Sequence, residues 1–261
     1  MKKYVVITGA SSGIGRALTV HFAHEGYFVL AIGRNKAELE STKNMVSTHL
    51  QPNVSVISLD LSAIEQIEVL PQHLLPGEKI SFLVHCAAII TPYKPIMDIS
   101  PTEFDAAINT NVRAPLFVTQ TLMPFFDTES RVLFIGSDYV GPNPSLGLNT
   151  TGCYAMTKTA LDVMARYASM ESKTFAVGIV NPGSTNTPML NSVNQAPLYK
   201  NSVFSNVTEP TDVAQFIQRL LENTSADVFS TVKWDCRNKD HQARIEPPAP
   251  VAQYMPTVGS M

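Results

Sequence analysis

Five residues carry the strongest chemical signal in this chain: Tyr154-Ala155-Met156-Thr157-Lys158. Positions four apart share one face of a helix, so the phenol and the ammonium group can reach into one cleft. A free tyrosine, with a pKa of about 10, is a poor acid–base catalyst near neutrality. A neighbouring ammonium favours the phenolate and poises the group to exchange a proton with a carbonyl oxygen. The spacing alone says little, because many amphipathic helices carry it. It gains weight from the small residues of the same stretch, Ala155, Thr157, Thr159 and Ala160, which follow a strand end where a ligand would lie.

A second signal stands near the start, in Thr8-Gly9-Ala10-Ser11-Ser12-Gly13-Ile14-Gly15, directly after the apolar run Tyr4–Ile7. A strand, a glycine-rich turn and a helix in that order make a phosphate site: the helix start offers unpaired N–H groups, and glycine lets a pyrophosphate approach the backbone. Gly9 then serves the tight turn, Gly13 the close approach and Gly15 the packing of helix on strand. The end of the next strand decides between dinucleotides. Ala31-Ile32-Gly33-Arg34-Asn35-Lys36 holds no acid for a ribose hydroxyl and two cations for a 2′-phosphate. Arg34 is the candidate clamp, with Ser12 and Arg16 as possible helpers, and NADP(H) is expected in preference to NAD(H). Asp60, at the end of the third strand, is placed to accept from an adenine amine with the Leu61 backbone assisting, or to cap the helix that follows.

The elements that must hold these groups can be read from periodicity. Strand-like runs are Tyr4–Thr8, Tyr27–Ile32, Val54–Leu59, Ser81–Cys86, Arg131–Gly136 and Ala176–Asn181, with a seventh expected near Val228–Trp234. Helical patterns cover Arg16–Glu25, Lys36–His49, Thr102–Phe126, Tyr154–Lys173 and Thr211–Glu222. Nearly continuous apolar strands alternating with helices predict an α/β fold: a single doubly wound, Rossmann-like parallel sheet with helices on both faces. Residues 1–244 are expected to form one catalytic domain with a substrate loop at about 184–209, and the proline-rich 245–261 an arm or tail.

Bulk properties remove other classes of function. In 261 residues, 44% hydrophobic and 16% charged, the net charge of −3 points to neither nucleic acid nor an anionic membrane. No apolar run approaches a spanning helix, and the four apolar residues after Met-Lys-Lys are too few for a signal core, so a cytoplasmic protein is expected. Cys86, Cys153 and Cys236 suit neither a disulfide framework nor a metal site.

Taken together, the motifs resemble the short-chain dehydrogenase/reductase family from Thr8 to about Met189. Asp60-Leu61-Ser62 resembles the family's adenine-contacting aspartate, and Asn109-Thr110-Asn111-Val112 places Asn111 on its structural and catalytic asparagine. Ile135-Gly136-Ser137 puts Ser137 on the substrate-orienting serine, Tyr154 and Lys158 match the catalytic pair, and Asn181–Met189 resembles the segment at the nicotinamide end. The resemblance implies catalytic roles for Ser137, Tyr154, Lys158 and Asn111, the last anchoring a water that links Lys158 to solvent. It implies cofactor contacts from Gly9, Ser11, Ser12, Gly13, Ile14 and Gly15, from Arg34, Asp60, Leu61 and Ala87, from Tyr154 and Lys158, and from Pro182, Gly183, Thr185 and Thr187. An assembly of two or four copies also follows from it.

Three departures bear on the reading. His85-Cys86-Ala87-Ala88 stands where the family has Asn-Asn-Ala-Gly, with His85 and the cysteines read as core groups and Ala88 as a methyl near the cofactor. Residues 138–153 enlarge the loop between Ser137 and Tyr154, leaving Ser145 as a second candidate serine. Phe229–Arg237 lacks a glycine-rich ending and, with Ala31–Asn35, is similar to the sepiapterin reductase and benzil reductase-like branch. Tyr139, Met189, Leu190, Tyr199 and Phe204 are expected to flank an apolar or aromatic carbonyl substrate, and Asp235 is read as a surface carboxylate or a polar anchor. The expected activity is NADPH-dependent reduction of a ketone or dicarbonyl. The alternatives are a 3-oxoacyl-carrier-protein reductase or alcohol dehydrogenase of the same family, and a non-catalytic NADP(H) sensor.

Overall fold

The computed structural model describes residues 2–90, 93–138, 150–195, 206–231 and 233–237. Among them, β1 (Lys3–Thr8), β2 (Phe28–Gly33), β3 (Val54–Ser58), β4 (Lys79–His85), β5 (Arg131–Ile135), β6 (Ala176–Asn181) and β7 (Lys233–Asp235) form one parallel sheet. The order is β3-β2-β1-β4-β5-β6-β7, so the chain reverses its direction of winding between β1 and β4. A ligand crevice opens at such a reversal, beyond the carboxyl ends of the strands. The helices are α1 (Gly13–His24), α2 (Lys36–Asn44), α3 (Ile64–Ile67), α4 (Pro101–Ile108), α5 (Ala114–Leu122), α6 (Gly152–Glu171), α7 (Pro188–Gln195), α8 (Pro210–Asn223) and α9 (Ala226–Thr231).

Period-two alternation assigns each strand residue to a face. On β1, Val5 and Ile7 enter one core with Phe22 of α1 and Phe216 of α8, while Tyr4 and Val6 enter the other with Leu122 of α5 and Leu161 of α6. In the first core Phe22 meets Tyr27 edge-on at 5.3 Å and Phe82 at 5.9 Å between centroids.

Three expected elements differ. The Lys36–His49 pattern is helical only to Asn44. The Thr102–Phe126 pattern is interrupted by a π turn over Asn109–Arg113, where the Ala114 amide donates to the Asn109 carbonyl five residues back. Pro115 supplies the cause: it has no N–H for the Asn111 carbonyl, and its ring crowds that oxygen. Val228–Trp234, read as a strand from its residue types, is α9 followed by the three-residue β7. α7, by contrast, is a helix inside a stretch read as an insertion. The 245–261 tail lies outside the described residues.

His85 is a core group, as expected. Its ring stacks on Phe134 (4.8 Å, 16°), and Nε2 lies 2.9 Å from Thr119 Oγ1. Because that hydroxyl donates to the Pro115 carbonyl, the imidazole Nε2 is assigned as the donor to it. Burial holds the ring neutral, with its pKa down to about 3 from 6.5. The unfolded chain therefore takes up this proton near pH 6.5 while the folded one does not, and the stability His85 contributes is whole above pH 6.5 and lost as pH falls towards 3. Melting temperature is expected to fall more steeply below pH 6.5 in the native protein than in His85→Gln; parallel curves would overturn the assignment.

Candidate functional site

The glycine turn leaves β1 at Thr8 and enters α1. Gly9 has φ +69°, and a Cβ there would sit 2.7 Å from the Ala87 amide nitrogen, so the turn and the approach of β4 both require glycine. A Cβ on Gly15 would lie 2.3 Å from the Gly9 carbonyl oxygen, which presses α1 onto the turn. At Gly13, with φ +51°, a Cβ would sit 3.0 Å from the Thr187 methyl. Ser12 is the N-cap of α1, and its side chain makes no capping bond. The first-turn amides thus lack a side-chain cap, the arrangement an anion requires.

Two arginines stand near this turn and have different uses. Arg16 donates to Glu38 (2.6 Å), Thr42 Oγ1 (3.1 Å) and the Ser11 carbonyl (2.5 Å), joining α1 to α2, and it does not line the cleft. Among the described residues Arg16 thus acts as a strut between α1 and α2. Arg34 is exposed at the end of β2, lines the cleft and makes no ion pair among the described residues. Asp60 also lines the cleft, with Oδ1 accepting from the Ser62 amide (2.9 Å) and hydroxyl (2.8 Å). Burial pushes its carboxyl up, but the Ser62 bonds and the Arg34 charge hold it below the usual range.

At the other end, Ser137 follows β5 and is buried, as are Tyr154 and Lys158 on α6. Lys158 Nζ donates to the Ile135 carbonyl at 2.9 Å and lies 5.7 Å from the centre of the Tyr154 ring. Burial lowers the Lys158 pKa to about 8, with half-buried Cys86 opposing. Cys86, pushed up to about 12 by burial, is held as a neutral thiol. Asn111 is buried in the π turn: Oδ1 accepts from the Ile89 amide (2.8 Å), and Nδ2 donates to the Ile89 carbonyl (2.8 Å) and Thr157 Oγ1 (3.0 Å). Its side chain ties the segment after β4 to α6, and Asn111 does not line the cleft. The side chain therefore braces the site rather than reaching into it.

Beside Ser137 the sequence reading missed a charged network. Asp138 accepts from Asn181 Nδ2 and pairs with Arg237 (Nη1 to Oδ2, 2.7 Å; Nη2 to Oδ1, 3.0 Å). Arg237 also grips Asp235 through Nε (2.9 Å) and Nη2 (2.5 Å). The only local hint is an acid and an arginine two positions apart, because the grouping is tertiary. Asp235 is committed to Arg237, which answers its reading as a surface carboxylate. Ser145, Tyr139, Tyr199 and Phe204 lie outside the described residues, whereas Met189 and Leu190 line the cleft.

One cleft of about 360 Å³ joins both ends. Its wall includes Gly9, Ser11, Ser12, Gly13, Ile14 and Gly15 at the turn, then Arg34, Asp60 and Leu61, and at the far end Ala87, Ser137, Tyr154, Lys158, Pro182, Gly183, Thr185 and Thr187. Ala88, where the family pattern has glycine, lies on the same wall. The profile of a family described as short chain dehydrogenase matches residues 3–198. The chain belongs to this family.

Short-chain dehydrogenases are oxidoreductases of alcohol and carbonyl groups, and the relatives of this one include a pterin aldehyde reductase and a benzil reductase. It is 26% identical over 205 residues to an NADPH-dependent pterin aldehyde reductase of Arabidopsis thaliana, covering 75% of this chain and 81% of that protein. To a benzil reductase ((S)-benzoin forming) of Bacillus cereus it is 29% identical over 199 residues, covering 72% and 77%. A crystal structure of a short-chain dehydrogenase from Escherichia coli CFT073 complexed with NADPH shares the fold, with a TM-score of 0.78 at 23% identity over 90% of this short-chain dehydrogenase and 97% of that chain. Among the described residues no helix is long and apolar enough to cross a membrane.

Proposed function

We propose that the protein is an NADPH-dependent reductase of small apolar or aromatic ketones and dicarbonyls. The observation that carries this is the polarity of the cleft: a glycine cradle and Arg34, which makes no ion pair among the described residues, at one end, and buried Ser137, Tyr154 and Lys158 at the other. The uncapped start of α1 and the absent Cβ atoms of Gly9 and Gly13 fit a pyrophosphate, and Arg34 fits a 2′-phosphate. NADPH in this cradle supplies the hydride that the carbonyl carbon accepts.

The chain's own residues handle the oxygen. Tyr154 Oη delivers its proton to the carbonyl oxygen as charge grows there. Ser137 Oγ donates a hydrogen bond to the same oxygen. Lys158, held at the Ile135 carbonyl, keeps positive charge beside the phenol and would hold the nicotinamide ribose. Asn111 positions α6 through Thr157, and its carbonyl, which Pro115 cannot engage, is the anchor for a relay water. Met189 and Leu190 give the substrate side its apolar character.

We also infer a homodimer or homotetramer. Met156, Val163, Tyr167 and Met170 form an exposed stripe along α6, of the width that helices bury against one another. Sedimentation as a monomer at micromolar concentration would overturn this.

The test of function is oxidation of NADPH by the purified protein with aromatic diketones, pterin aldehydes, simple ketones and oxoacyl thioesters. Turnover is expected on one of the first two classes and slower with NADH. A preference for oxoacyl thioesters would transfer the protein to the acyl-carrier reductases. Tight NADPH binding without turnover would favour a sensor.

A further inference from the structure

Arg237 and Asn181 together join the ends of β5, β6 and β7. Arg237 bridges Asp138, the residue after Ser137, to Asp235 at the end of β7. Asn181, at the end of β6, reaches both acids, with Nδ2 donating to Asp138 and lying 3.5 Å from Asp235. Its Oδ1 accepts from the Gly183 amide (3.1 Å), and its backbone carbonyl from the Cys236 amide (3.0 Å). The Arg237 side chain also lies over Gly183: a Cβ there would sit 2.8 Å from its Cδ, and φ at Gly183 is +68°. Ser137 and Gly183, both on the cleft wall, are thus each one step from the same cation.

This network does little for global stability. Arg237 keeps 43% of its side chain exposed and Asp138 33%, and ion pairs at such exposure contribute little. What a planar fork does well is fix geometry, because it grips two carboxylates in set directions. Without it, Asp138 and Asp235 face each other as like charges around Asn181 and separate.

We propose that Arg237 is a positioning residue: it pins the strand ends so that the Ser137 hydroxyl stands at the height the reacting carbonyl needs. This rests on the reductase reading above. Arg237 touches neither substrate nor cofactor in this role; it acts through Asp138 and Asn181.

The test compares Arg237→Met and Arg237→Lys by kcat, NADPH affinity and melting temperature. For Arg237→Met, kcat is expected to fall roughly tenfold, since small misplacements at a reacting centre are costly. NADPH affinity and melting temperature should stay close to those of the parent. Arg237→Lys should recover part of the loss, and Asp138→Asn added to Arg237→Met should cost little more. Unchanged kcat overturns the proposal, and so does a loss that tracks melting temperature and NADPH affinity together.

A parent protein that reduces no carbonyl would defeat the reductase reading instead. In that event Trp234, the chain's single tryptophan and the neighbour of Asp235, decides the matter by energy transfer to bound NADPH. A changed transfer in Arg237→Met keeps the pin, and an identical one removes it.

Discussion

Replacing Tyr154 with phenylalanine is expected to lower kcat for carbonyl reduction by about a thousandfold while NADPH affinity changes by less than about threefold. The substitution removes one oxygen from a buried ring on α6 and leaves the ring to pack beside Lys158 as before. The lost oxygen is the one assigned to give up the proton, and the Ser137 hydroxyl is assigned only to donate a hydrogen bond to the same carbonyl oxygen. Steady-state oxidation of NADPH and a fluorescence titration measure the two quantities on one preparation. A Tyr154→Phe protein that turns over at a tenth of the parent rate would show that the proton comes from elsewhere, and the assignment would be lost. Equal inactivity of both proteins would favour the sensor. The pH profile adds a check: burial brings the Lys158 amine down to about 8, so the cation that supports the phenol is lost as pH rises through that value, and reduction should slow there.

Arg34→Ala is expected to weaken NADPH binding between tenfold and a hundredfold and to leave NADH within about twofold. The magnitude follows from a charge-assisted contact to a phosphate that only NADPH carries. The selectivity follows from the division of labour between the arginines. Arg16 is held by Glu38, Thr42 and Ser11 through Nε and Nη2, and turning to a phosphate would loosen the link between α1 and α2. Arg34 has no such ion pair among the described residues, and its charge helps to hold the Asp60 carboxyl down. Titrations of both cofactors at two ionic strengths measure it, and the NADPH effect should shrink with salt. Equal losses for both cofactors would move Arg34 from the phosphate to a structural role.

What the sequence made legible was local. The strand–glycine–helix unit at Tyr4–Gly15 is a contiguous pattern, and each of its glycines has a steric reason visible in the fold. The Tyr154–Lys158 pair needed only helical spacing, and α6 supplies it. Arg34 was found because it ends a strand, but its freedom could be judged only once Arg16 was seen engaged. Asn111 was legible as a motif position, but its bracing bonds were not, since its partner Ile89 is brought to it by a crossing of the fold. Val228–Trp234 misled because its residue types suit a strand, while the Phe229 amide closes a helical turn on Ser225. Arg237 was invisible, as its partners come from two strand ends.

The π turn at Asn109–Arg113 also does work as a spacer. From Ala107 to Leu122 the buried positions of this side of the protein span fifteen steps. Four turns of straight α-helix use only about 14.4. A regular helix through this stretch would let its apolar stripe drift off the sheet by its far end. The one wide turn absorbs the surplus, so α4 and α5 keep facing inward along a shared axis while Asn111 sits at the join. Phase correction and the brace between β4 and α6 are thus one local irregularity, and the chain cannot lose either without disturbing the other.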